Sequence, residues 1–187
     1  MKSIMLETRM IEHCAPTLAG IKSASLFNYF FTEKEVVQEE VKEVNGLLNE
    51  RGVYVETLLW RENSVLVYTY RKSHIQKELQ QPKVMELLSK YGYQNCEVKD
   101  CIAHLKTRLQ YYTCFPHEIG IFLGYPLEDV IGFIENRGEN CKCCGLWKVY
   151  CNEKETIRLF HKIKKCNRVY LQVFAEGRSI TQMTVSA

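Results

Sequence analysis

No apolar run in this sequence approaches the ~18 residues needed to cross a bilayer, which excludes a helical membrane span. Internal repeats, low-complexity tracts and Pro/Gly/Ser-rich linkers are also missing, so residues 1–187 are expected to form a single domain. A glycine-rich loop of nucleotide-binding type is absent, and no nucleotide cofactor is expected. Residues 1–14, MKSIMLETRMIEHC, place Glu7, Arg9 and Glu12 where a signal peptide needs unbroken apolar character, and the expected location is cytoplasmic. The formal net charge is only +3, which gives no reason to expect a membrane or nucleic-acid partner. With 46% hydrophobic and 25% charged residues, the chain has enough apolar material for a core without staples.

Proline is scarce at four residues, and each one marks a boundary. Ala15-Pro16 is expected to end a first helix over 3–13, striped by Ile4, Thr8 and Ile11, because the residue before proline is pushed out of helical space. Pro82 starts a helix that ends near Gly92. Pro116 and Pro126 open helices over 116–123 and 126–136, closed by Gly138.

Between these points, hydrophobic periodicity assigns the rest. Residues 24–31 read as a strand. Thr32 and Glu35 form a capping box for a helix over 33–50, in which Val37, Val41, Val44 and Leu48 share a stripe and Gly52 supplies the left-handed end. Residues 53–60 and 65–71 alternate as a hairpin. Ser73, with Gln76, caps a further helix, and 96–112 forms another with Ile102, Leu105, Leu109 and Tyr112 on one side. A strand over 146–151, a helix over 153–165 and a strand over 168–175 follow, before Ser179 and Gln182 cap a terminal turn. The predicted class is α+β: a mixed sheet of about five strands (24–31, 53–60, 65–71, 146–151, 168–175), with packed helices and a helical cap over 73–136. Right-handed crossovers are expected at each end.

Cysteine, in contrast, is abundant. There are nine, an odd number in a chain with no export signal, so free thiols are expected in place of a disulfide framework. The sharpest local feature is the Cys141-Lys142-Cys143-Cys144-Gly145 turn. Cys141 and Cys144 have zinc-knuckle spacing, and Gly145 would let the backbone wrap thiolates around Zn or Fe, completed by Cys143, Cys14 or Cys114. A second C-x-x-C to complete the set is missing. As a dithiol redox pair the turn lacks an activating helix N-terminus, since a strand follows it.

Cys14 beside a turn, with His117 as base, is the minimal thiol nucleophile. Neither flank matches a cysteine-protease pattern, and the enzyme reading ranks below a binding role. The two short helices around Gly124 have a helix-turn-helix rhythm, but Glu128, Asp129 and Glu135 would face a polyanion, so the segment reads as a helical corner in the core. A basic helix end over 158–168 is the remaining candidate surface, for RNA or a protein. Residues 137–168 hold nine Lys/Arg against three Glu, though cations there also answer the helix dipole.

Taken together, CAPTLAGIKSASLF (14–27), FPHEIGIFLGYPLEDVIGFIENRG (115–138) and CKCCGLWKVY (141–150) resemble a family of small proteins from anaerobic bacteria known only as a domain of unknown function. The resemblance covers about residues 10–185. It implies a small cytoplasmic protein with no assigned catalytic residues, and flavodoxin-like or iron-related proteins as partners. The expected role is a thiol-rich accessory or binding protein that uses 115–151.

Overall fold

A computed structural model describes residues 4–95, 97–111 and 115–186. Cys96, Tyr112 and Cys114 lie outside the described residues. Two compact units are distinguished, one of residues 1–75 with 166–187 and one of residues 76–165.

The first unit opens with α1 (Ile4–Leu18), whose buried face carries Leu6, Met10, Ile11, Cys14 and Leu18. Of the expected Ile4-Thr8-Ile11 line, Ile11 is buried, Thr8 is only partly buried, and the Ile4 side chain lies outside the described residues. Ala15-Pro16 does not end the helix, because Pro16 sits inside its last turn. That turn is held from outside. Arg71 Nε donates to the Thr17 carbonyl and Nη2 to the Leu18 carbonyl, both at 2.6 Å. Burial of Ala15, Thr17 and Leu18 adds to this, and together they outweigh the N–H that proline lacks.

β1 (Ala24–Phe30), β2 (Val53–Trp60) and β3 (Ser64–Arg71) form an antiparallel sheet in the order β1-β3-β2. Phe27 faces Val67 and Val55 faces Thr69, with a register shift between Thr57 and Leu59. All of β3 is buried, as its central position requires.

α2 (Lys34–Leu48) buries Val37, Val44 and Leu48, with Val41 packed partly against the same core. Its N-cap is Glu33 with no side-chain cap, so the Thr32–Glu35 box does not form. Gly52 takes the expected left-handed conformation, φ 78°, before β2. The edge of β2 is satisfied by a side chain: Asn45 Nδ2 donates to the Val55 carbonyl at 2.8 Å, and Val55 N–H donates to Asn45 Oδ1 at 2.9 Å. α3 (Lys72–Leu79) follows β3 directly, which puts Ser73 inside its first turn and not at its cap.

The second unit contains α4 (Pro82–Ser89), α5 (Val98–Tyr111), α6 (Ile119–Phe122), α7 (Leu127–Glu135) and a two-stranded ribbon, β4 (Cys143–Cys144) with β5 (Lys148–Val149). Its buried faces follow helical spacing: Val84, Leu87 and Leu88 on α4, then Val98, Cys101, Ile102, Leu105 and Leu109 on α5. Glu118, fully buried, is held by Arg108 Nε and by Tyr93 Oη at 3.4 Å.

α8 (Glu153–Ala175) replaces the predicted helix over 153–165 and strand over 168–175. Arg168–Ala175 is rich in β-branched and aromatic residues, yet no Gly or Pro separates it from the preceding helix. Cys166, Tyr170, Val173 and Phe174 recur at three- and four-residue intervals, and that spacing buries one side of a helix. α9 (Ile180–Met183) closes the chain with the expected Ser179–Gln182 capping box.

The class is α+β, as predicted. Among the described residues the five-strand mixed sheet is instead a three-stranded antiparallel sheet and a separate two-stranded ribbon. No parallel pair occurs there, so the crossover argument has nothing to act on.

Candidate functional site: an apolar recess under the cysteine ribbon

The segment from Phe115 to Lys148 folds around a partly open recess of about 420 Å³ within the second unit. Its walls come from α6, α7 and the ribbon, and most of the lining is apolar. Buried Ile119, Leu123, Val130 and Trp147 form the inner surface, while exposed Phe115 and Leu146 stand at the rim. Tyr125 and Trp147 stack face to face with ring centroids 4.6 Å apart, and this pair is the aromatic wall of the recess.

Glycine sets how closely these elements approach. A Cβ on Gly120 would lie 2.8 Å from Val130 Cγ2, so α6 meets α7 only because residue 120 has no side chain. Likewise, a Cβ on Gly132 would sit 2.5 Å from Tyr150 Cγ, and one on Gly145 would overlap the Phe160 ring. Gly145 thus seats the ribbon on Phe160.

Asp129 anchors the recess. The residue is buried, and its Oδ2 accepts from Trp147 Nε1 at 2.8 Å. Its Oδ1 accepts from Tyr150 N–H at 2.8 Å, Cys151 N–H at 3.0 Å and Cys151 Sγ at 3.3 Å. One carboxylate therefore ties α7 to both the ribbon and the chain leaving it. In the sequence, Asp129 stood out only as an acid on a supposed recognition helix. The usable signal was the pair of acids, Glu128 and Asp129, at the head of the otherwise apolar run LEDVIGFI, since an acid drawn into such a run calls for a buried partner.

The sequence-predicted residues fall in several places. Cys14 belongs to the first unit, where it is fully buried. Burial pushes its thiol up to about 12, against weaker opposing effects from Thr69, Lys22 and Ser25, so it stays protonated at neutral pH. His117 belongs to the second unit, lies exposed at the recess rim and sets its ring against Phe133 at 5.1 Å.

Cys143 and Cys144 pair across the ribbon with Val149 and Lys148, respectively. Cys144 is exposed and lines the recess; Cys141 and Cys143 are half-buried. Desolvation raises Cys143, helped by Glu153, Cys141, Asp129 and Cys144. Desolvation and the Asp129 hydrogen bond push Cys151 up to about 11. Among the described residues no three His, Cys, Asp or Glu side chains are gathered for a metal ion, and Cys114 lies outside them. The seven described cysteines are free thiols.

The basic residues His161, Lys162, Lys164, Lys165 and Arg168 are all exposed on α8, opposite its buried stripe. Among the described residues no helix is long and apolar enough to cross a membrane.

Neither a curated protein nor a solved structure matches this chain. A family described as "Protein of unknown function (DUF3793)" matches residues 10–184. That span runs through both compact units, and the chain belongs to the DUF3793 family of proteins of unknown function.

Proposed function

We propose that this is a small-molecule-binding protein whose site is the recess between α6, α7 and the β4–β5 ribbon. The observation that carries the reading is a concave, mainly apolar cavity of about 420 Å³ with an aromatic wall and few polar groups at its rim. Cavities of roughly 300–1,000 Å³ with that lining are the usual form of small-molecule sites. The recess is also built on fixed parts: three close glycine approaches and a fully engaged Asp129 hold its walls. The free thiols suit a cytoplasmic accessory role, and the family match through both units suits a chain that works as one domain.

Cys144 gives the test its reporter, because it is exposed at the recess while Cys141 does not line it. Native protein is treated with iodoacetamide in the presence and absence of naphthylmethanol, and labelling is read at each cysteine by mass spectrometry. Naphthylmethanol at ten times its dissociation constant slows Cys144 labelling about tenfold and leaves Cys141 unchanged. Equal labelling of Cys144 up to the solubility limit of the alcohol overturns the reading.

A further inference from the structure

We infer that the recess selects aromatic ligands whose polar end is a hydrogen-bond acceptor, with an anionic aryl carboxylate as the best-fitting class. The inference rests on the binding reading above and concerns which head group the site takes.

The body of such a ligand follows from the walls. The stacked Tyr125–Trp147 pair and the Phe133 ring offer apolar aromatic surface, and the cavity volume of about 420 Å³ suits a fused two-ring body.

The head follows from which polar groups still have hydrogen-bonding capacity. Five ionisable side chains line the recess, namely Asp129, Lys148, His117, Cys144 and Tyr125. Asp129 is committed: its two oxygens accept from Trp147 Nε1, two backbone N–H groups and the Cys151 thiol, and the residue is 2% exposed. Lys148 is only partly committed. Its Nζ donates to the Gly138 carbonyl at 2.6 Å, and an ammonium has three N–H bonds, so two remain for a ligand. His117 stands exposed at the same rim and offers a ring N–H beside one ring-nitrogen acceptor, and Cys144 adds a weak S–H donor. The spare capacity at the rim is therefore mostly donor. An acceptor head meets it, while an ammonium head leaves those donors unanswered and brings like charge to Lys148.

Asp129 is the competing influence, since its charge on the floor would favour a cation. Its oxygens are already surrounded by donors, whereas Lys148 lines the partly open recess with its Nζ at Gly138, where a Cβ would lie 3.5 Å from that nitrogen and 3.2 Å from the Phe133 ring.

Three probes with one body and different heads decide the matter: naphthoate, naphthylmethanol and naphthylmethylamine, titrated calorimetrically into the full chain at low salt. Naphthoate is expected to bind about tenfold tighter than the amine, because one charge contact is gained and one repulsion avoided. In Lys148→Gln that preference falls to about twofold or less. If the alcohol binds but acid and amine bind equally, or the amine binds better, the head-group inference is overturned and the recess remains a binding site. If none of the three binds, the binding reading fails and takes this inference with it. The ranking on the unaltered protein decides even if the variant does not fold.

Discussion

Trp147 Nε1 donates to Asp129 Oδ2 at 2.8 Å, and that bond fixes the aromatic wall of the recess to α7. The other oxygen takes the backbone N–H groups of Tyr150 and Cys151, so the same carboxylate sets where the chain leaves the ribbon. Asp129→Ala removes the acceptor for three N–H donors in a buried site. It is expected to lower stability by about 2–4 kcal/mol, the range for stripping one side of a buried charged hydrogen-bond set. Asp129→Asn keeps one carbonyl but turns an amide N–H toward another donor, so its loss should be smaller, about 1–2 kcal/mol. Urea unfolding followed by tryptophan fluorescence measures both. An Asn variant as stable as the parent would mean that the charge contributes nothing there.

How much of this was legible in the sequence depends on the kind of interaction. The hairpin, α2, α4, α5 and the α9 capping box were readable because each is set by local periodicity or by a cap within a few residues. The last turn of α1 was not, since Arg71 supports it from 53 and 54 residues away. Residues 168–175 misled because Val169, Tyr170, Val173 and Phe174 carry strand propensity while their burial follows a helical period, and periodicity is the stronger determinant. At the site, the segment 115–152 stood out through its glycines and cysteines, but the residue types drew attention to sulfur. What the segment builds is an apolar recess pinned by an acid, and neither a cavity nor the bonds of Asp129 leave a spacing pattern to read.

Gly145 offers a second measurement, independent of Asp129. The ribbon backbone crosses the Phe160 ring so closely that an alanine methyl would overlap it, and Phe160 in turn meets Trp147 edge-on at 4.5 Å. Gly145→Ala should therefore destabilise by about 1–3 kcal/mol, the usual cost of forcing an extra methyl into a packed contact. The clash belongs to one pair of residues. In a Phe160→Leu background, where the ring is gone, adding the same methyl should cost about 1 kcal/mol less, and a double-mutant cycle reads that difference as a coupling energy. Additive losses would locate the strain elsewhere.

In the first unit, Lys22 and Cys14 make stability depend on pH in opposite directions. Burial lowers Lys22 from its ordinary 10.5 to about 8, partly offset by nearby Cys14, and its Nζ donates to the Ala24 carbonyl at 2.7 Å. Between those two values the unfolded chain holds a proton on this lysine that the folded chain has released, so stability rises with pH across the window. Cys14 acts the other way. Its folded value is raised from 9.0 to about 12, so the stability it contributes is intact below 9 and is lost as pH climbs above it. From pH 8 to pH 9 the lysine contribution amounts to about 1 kcal/mol, and the thiol takes back only a fraction of it. The urea midpoint should accordingly move upward over that single pH unit in the unaltered protein. Lys22→Met removes the rise while leaving all other titrating groups in place, so the comparison isolates one side chain. Parallel pH profiles for the two proteins would show that Lys22 titrates alike in the folded and unfolded chain.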